Sequence, residues 1–484
     1  MRALSVGLVG LFLSACGDDG VGKLTDAPPN PDGKEIDAPT SGPVKITITS
    51  GSTGVPGVRV LFQNADSSLV LSATTDANGA AVATMDAGGF VTAIDAFPRS
   101  FPTGAAPPSE LQTFAGVKPG DELVLHEGNG ATSIVNVRVN IPLDGAASTY
   151  RLHTPCGTFG LSSGGGSGSG SGSGAPGGSL TLFDCPATAD FLVEGFDSEG
   201  LPVRTLFKAN VALAEGAIID LTADSYVGVT DATFMYTNVP QRFGVLNVSN
   251  TVQTTRGPIY EIFGSFDVSN GTGAFSSKAP ALIAGTLSVT STSFFDNRSI
   301  HNVVGWGAAT NTYTLDAGAA LLPAFTGSPR FDVATHTTSW TQAATGATPD
   351  LSVHTVDLFR PSTGQEWSWT IAAPFTNASV ALPVLPADGS RFNAGAEDNI
   401  SIFDFATAKV PGGYDAIREI VLAANQDDII IGPTGQVSLQ GFQGAQTKPT
   451  KTTATTATKT TKAVKATKPR FFHTHVPAAP KARL

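Results

Sequence analysis

Short runs of alternating apolar and polar residues, broken by clusters of turn formers, recur from about residue 44 to 441. This pattern most limits what the chain can become, because a period of two suits a half-buried strand and no helix. VKITITS (44–50) alternates, as does VRVLFQ (58–63), where Val58, Val60 and Phe62 share a face. GSTGVPG lies between them, and such Gly- and Pro-rich clusters mark turns. SLVLSATT, AAVATM and FVTAID (90–95) follow, with DANG (76–79) read as a hairpin turn. Strands about every ten residues, with turns between, predict sandwiches.

The same texture continues. SIVNVRVN (133–140) sets Val135, Val137 and Val139 on one side, and TLFDC, FLVEGF, LPVRTLF, NVALAEG and AIIDLTA extend a second β region. From 226 to 441 strand-like runs include ATFMYT, GVLNVS, IYEIFGSFDV, LSVHTVDLF, EWSWTIAA, ISIFDFA and DDIIIG. That block suits one large sandwich or barrel, or two small sandwiches. YDAIREIVLAA (414–424) reads as short helix or strand, with the lean to strand. The expected fold is all-β: tandem antiparallel β-sandwiches, then a larger C-terminal β-sandwich or barrel and a disordered tail. The expected divisions are 1–15 leader, 16–43 tether, 44–128, 129–225 and 226–441 β-domains, and 442–484 tail.

The first of these β-regions resembles a known family. TITSGSTGVPGVRVLFQNADSSLVLSATTDANGAAVATMDAGGFVTAI resembles the carboxypeptidase-regulatory-like and bacterial Ig-like domains over about 50 residues. The resemblance implies a seven-stranded sandwich used as a spacer or adhesive module, with no catalytic residues to carry over. DANG lacks the later ligands of a calcium loop.

The start of the chain concerns delivery. Arg2 is the only charge in MRALSVGLVGLFLSA, and the apolar run from Ala3 to Leu13 is about half of the ~20 residues a spanning helix needs. A basic start, a short apolar core and small residues at its end describe a secretory signal. Leu13-Ser14-Ala15-Cys16 resembles the lipobox of bacterial lipoproteins. The resemblance implies cleavage before Cys16, a diacylglyceryl thioether on its sulfur and acylation of the new N-terminus. Several acyl chains hold where one holds only marginally. Gly17, where Asp would favour the inner membrane, leans the chain towards the outer membrane. The expected location is the cell envelope, lipid-anchored, facing periplasm or surface. Residues 17–43 are rich in Pro, Gly and Asp and poor in large apolar side chains, so they cannot offset their ordering entropy and read as a tether.

Three cysteines are present. With Cys16 lipidated, Cys156 and Cys185 remain, and outside the cytoplasm two lone thiols pair. GGGSGSGSGSGAPGG (164–178) lies between them, so the expected disulfide closes a linker-like excursion.

Charged residues make up 14% of the chain, and the formal net charge is −11. The low charged fraction suits an extracytoplasmic β-rich protein. From Lys448 onward nine residues are basic, and nothing after Asp428 is acidic. The body therefore carries about −20, which argues against specific nucleic-acid binding. The Thr/Lys-rich tail reads as disordered. It is a solvated patch, one that folds back on the acidic body, or one that touches acidic polymers.

Candidate sites are few. All four Trp lie between 306 and 369. Trp367 and Trp369 share a strand face. Exposed, they and Trp340 would stack on sugar rings; buried, they are core. Asp350, Asp357 and Glu366 surround them as carboxylates for hydrolysis, but nothing marks a pair. His336 and His354 on neighbouring strands lack a third metal ligand. The zincin and phosphate-loop motifs are absent, so no catalytic residue, metal or cofactor is assigned and the chain reads as a non-enzyme. The expected partners are the membrane, through the anchor, and a cell-surface glycan or protein. The second reading is a glycan-binding or glycan-hydrolysing protein using 300–370.

Overall fold

The computed structural model describes residues 41–442 apart from 52, 98–108, 128–132, 162–176, 184, 269, 282, 284, 377 and 423–432. The leader, Cys16, most of the tether, DDIIIG and all but the first residue of the expected tail lie outside the described residues. The described chain is nearly all β. Its sheets are open, and none closes into a barrel among the described residues.

One strand order occurs four times. In unit one the strands are Ser41–Ser50, Arg59–Gln63, Leu69–Thr74, Ala80–Asp86, Gly89–Ile94, Ser109–Val117 and Glu122–Glu127, first to seventh. The short Thr53–Gly54 strand pairs at the end of the first. The first strand pairs antiparallel with the fourth and parallel with the seventh. The third, second, fifth and sixth lie side by side in the facing sheet. Unit two repeats this with Ile134–Asn140, Thr149–Thr154, Gly157–Leu161, Gly177–Phe183, Thr188–Phe196, Pro202–Ala212 and Ile218–Asp220. Unit three repeats it with Thr230–Thr237, Val245–Thr254, Gly257–Asp267, Gly273–Ala279, Leu287–Phe295, Ser299–Ala308 and Thr312–Asp316. Unit four has six of the seven: Thr337–Ser339, Leu351–Arg360, Gln365–Pro374, Ser379–Ala381, Asn399–Lys409 and Gly435–Phe442. Arg330–Asp332 pairs antiparallel with its first strand where the seventh would be.

The block 226–441 thus holds two sandwiches of one topology. The sheets are mixed rather than purely antiparallel, since each of the first three units joins its first and last strands in parallel. The first strand begins at Ser41, inside the expected tether, because residues 41–43 pair with Thr84, Met85 and Asp86.

Three units also share a sheet. The larger sheets of units three, four and one join edge to edge into twelve strands. The sixth strands of units three and four pair antiparallel, from Ser299↔Phe442 to Trp306↔Gly435. The third strand of unit four takes the sixth strand of unit one in parallel, from Trp367↔Ser109 to Ala372↔Phe114. This union explains two sequences. Arg59–Gln63 and Gly89–Ile94 are buried almost throughout, as strands covered on both faces are. Val60, Phe62, Val91 and Ala93 face unit one's own core. Leu61 and Ile94 face the core of unit four, with Trp367 and Trp369.

Tyr414, Thr113 and Arg418 secure the parallel junction. Trp369 Nε1 donates to Thr113 Oγ1 at 2.8 Å. The Tyr414 hydroxyl contacts the carbonyls of Ala115 at 2.8 Å and Ala372 at 3.1 Å, one on each side. Tyr414 opens a single helical turn, Tyr414–Ile417. The lean to strand over 414–424 is therefore corrected. Gly412 and Gly413, at φ +77° and +73°, break the extended path, and residues 418–422 continue as turns.

The DANG turn also differs from its expectation. Asp76 Oδ1 accepts the amides of Asn78 and Ala80 at 2.8 and 2.9 Å. Gly79 sits at φ +75°, where a Cβ would lie 2.1 Å from the Ile48 carbonyl. It is a tight turn, but it carries the chain from one sheet to the other, so it closes no hairpin. The stretch DSEG (197–200) does close one: Asp197 Oδ1 accepts from the amides of Glu199 and Leu201 at 2.9 Å each, between two strands that pair.

Cys156 and Cys185 are bridged, with Cα atoms 5.3 Å apart. The bond ties the turn after the second strand of unit two to the link between its fourth and fifth. Replacing both with Ser is expected to lower stability by about 2–3 kcal/mol. Calorimetry of the pair variant checks this, and unit two should melt first.

Candidate binding surface

The indoles come first, because the glycan reading rests on them. Trp367 and Trp369 are each 1% exposed and Trp340 is 5% exposed. All three belong to the core of unit four, Trp340 packing 4.6 Å from the Phe405 ring and Trp367 against Phe392. The exposed platform is therefore corrected to core. The apolar face of this strand is sandwiched between two layers, which the sequence pattern alone leaves open. The fourth Trp, Trp306, is 6% exposed.

The expected histidine pair does not form a site. His336 sits in a turn at φ +51°, its Nε2 3.2 Å from the Ala394 carbonyl. His354 is fully buried beside Phe405, and burial pulls its pKa down to about 3. No group of three His, Cys, Asp or Glu side chains suited to a metal occurs among the described residues. His153 instead pairs with Glu194 at 3.2 Å, both buried, where unit two meets Tyr260 of unit three.

The carboxylates regroup. Asp350 is structural: it accepts the Val410 amide at 2.8 Å. Asp357 lies on the face of the long sheet away from the Trp core, where Ser368 donates to it at 2.5 Å. Beside them Thr355 and Thr370 exchange a hydroxyl hydrogen bond at 2.9 Å. Asp404, which the sequence reading missed, stands across from Thr355. Burial raises both carboxyls, and each raises the other or is raised by a neighbour: Asp404 is pushed up to about 6 by burial and then by Asp357, and Asp357 is raised by burial and by Glu366. Near pH 6 Asp404 is about half protonated. The pair offers a polar, acidic, half-buried surface that accepts hydrogen bonds from hydroxyls or cationic groups.

A carboxyl raised on folding costs nothing below its unfolded value and destabilises as pH rises through its folded value. The penalty at Asp404 is therefore absent only below its unfolded value of 3.8 and complete above about pH 6. Asp404→Asn is expected to match the parent at pH ~3 and to exceed it by about 1–2 kcal/mol at pH ~7, allowing for solvent screening. Denaturant midpoints at the two pH values measure the difference.

Other surface features are apolar. Ile134 and Phe183 are 56% and 49% exposed and directly paired on unit two. Leu69, Val70 and Leu71 line an open sheet edge on unit one. Among the described residues no helix is long and apolar enough to cross a membrane.

No family model matches the chain, and no curated protein matches it. Solved structures similar to it include the Bacillus anthracis TIE protein, at 12% identity and a TM-score of 0.14. That match covers 57% of this chain and 51% of the other, so the chain spans about half of that protein's length. The major pilin subunit of Bacillus cereus is similar at 12% identity and a TM-score of 0.14, over 57% of this chain and 98% of its own. A streptococcal ancillary pilin is similar at 8% identity and a TM-score of 0.13, with the same coverages.

Proposed function

We propose that this chain is a lipid-anchored, extracytoplasmic β-module protein with a non-catalytic spacer or adhesive role. The observation that carries the reading is repetition. One sandwich topology is used four times, and three copies are fused through strand edges rather than hung on flexible linkers. Such a body holds a surface at a fixed distance from its attachment. The leader and the lipobox-like Leu13-Ser14-Ala15-Cys16 support attachment at the N-terminal end, with the outer membrane as the site and a cell-surface glycan or protein as the partner. The Asp357–Asp404 face is the polar surface for that partner. The Trp-based glycan reading is set aside, since its rings are core.

The test is mass spectrometry of the native N-terminus together with membrane fractionation. The reading expects a chain beginning at an acylated Cys16, and release of the protein into the soluble fraction on Cys16→Ser. Residues 1–15 still joined to a free thiol would contradict it.

A further inference from the structure

The third strand of each unit is the outer strand of its larger sheet, and the units treat that edge differently. In unit four it takes a strand of unit one. In unit three its first residues, Gly257 to Tyr260, are buried, and Tyr260 packs on His153 of unit two. In unit one, Leu69–Thr74 pairs only with Arg59–Gln63 among the described residues. Leu69, Val70 and Leu71 are 43%, 36% and 40% exposed. Residues 67–75 contain no charge and no Pro, two of the devices that normally blunt a sheet edge, and the one irregularity of its pairing is the register shift opposite Phe62 and Gln63.

Carboxylates bracket this edge. Asp66 accepts the Ser68 amide at one end, and Asp76 holds the turn at the other. Asp388 lies alongside, accepting from the Ser72 hydroxyl at 2.9 Å. None of the three forms a salt bridge among the described residues. The edge therefore fits an extended segment that is uncharged and β-prone in its middle and cationic at both ends.

One stretch of this sequence has that composition. TTATTAT (452–458) is uncharged and rich in β-branched Thr, and Lys451 and Lys459 flank it, with Lys462 beyond. Lys451 and Lys462 are eleven positions apart, and Asp66 and Asp76 are ten.

We propose that Lys451–Lys462 of one chain adds as a strand to the Leu69–Thr74 edge of a second copy. The geometry favours a neighbour's segment over the chain's own. Phe442 ends a strand seven places from Leu69–Thr74 in the long sheet, about 34 Å at ~4.8 Å per strand. The residues from 443 to 451 span at most ~32 Å when fully extended, so a chain's own segment falls short. Because each copy offers one edge and one segment, the contact is heterologous and propagates. It needs only the fold and not the lipid anchor.

The experiment is sedimentation velocity on the full chain bearing Cys16→Ser, over rising concentration at low salt. The parent is expected to self-associate. Asp66→Lys with Asp76→Lys is expected to weaken association about tenfold, as is Lys451→Glu with Lys459→Glu and Lys462→Glu. Combining the two sets restores association, and a synthetic peptide of residues 449–464 competes with the parent contact. Asp66 and Asp76 also accept turn amides, so circular dichroism checks the fold of that variant, while the Lys451, Lys459 and Lys462 set touches no such contact and carries the test independently. A monomeric parent, a charge-reversed variant that associates like the parent, a combination no better than its parts, or a peptide without effect would each overturn the proposal.

Discussion

Trp369→Ala is expected to cost about 3–5 kcal/mol and to loosen unit one from unit four. The ring is 1% exposed in the core that both units share. Truncation removes its transfer energy and leaves a cavity that two close-packed sheets cannot easily fill. It also removes the Nε1–H donated to Thr113. Thr113 keeps a second partner, Thr92, at 2.9 Å, so most of the cost is packing. The neighbouring indole offers an internal control. Trp367 is equally buried, but its Nε1 has no partner in the structure. Trp367→Phe is therefore expected to cost less than Trp369→Phe, which gives up a hydrogen bond worth about 1 kcal/mol. Denaturant unfolding of the three variants, with limited proteolysis of unit one, measures both statements.

Arg418→Ala is expected to cost about 3–4 kcal/mol. Arg418 is 4% exposed and grips Asp121 with two hydrogen bonds of 2.6 Å each. Asp121 is 6% exposed and lies in the turn before the seventh strand of unit one. Removing the guanidinium leaves a buried carboxylate whose remaining partner is the Lys118 amide, and an uncompensated buried charge is far costlier than a missing pair. Hence Arg418→Met with Asp121→Leu is expected to cost less than the single Arg418→Ala. A double-mutant cycle on urea midpoints separates the two cases. Equal losses for the single and the double change would show that packing, not charge, fixes this corner.

The strands were legible because each buries one face. Val44, Ile46 and Ile48, or Val137 and Val139, alternate cleanly and are buried as the alternation requires. The fourfold repetition was not legible, because it lies in which strands pair. Ser109–Val117 and Gln365–Pro374 are some 250 residues apart, and nothing local in either run names the other. Asp404 was hidden by a register change. In ISIFDFA a strict alternation puts Ile400, Ile402 and Asp404 on one face. The shift in pairing between Thr355 and Val356 sends Asp404 to the other face, as bulges do, while Phe405 turns into the core. The Trp residues were ambiguous for a related reason: a strand shows which side chains share a face, and only the layer stacked on it decides whether that face is wet. The disulfide was read from compartment and count alone, and the fold places its two cysteines within bonding distance.

Units one and four are one sheet, joined in parallel at a single register. The direct measurement is cysteine cross-linking across that seam. Thr370 and Gln112 are register partners, whereas Ser368 pairs with Glu110. Thr370→Cys with Gln112→Cys is predicted to form a disulfide on mild oxidation, visible as a mobility shift that reductant reverses. Ser368→Cys with Gln112→Cys, two residues out of step and beyond the ~7 Å reach of the bond, is predicted to stay reduced. A chain in which neither pair bridges, or in which the displaced pair bridges as readily, would contradict the shared sheet.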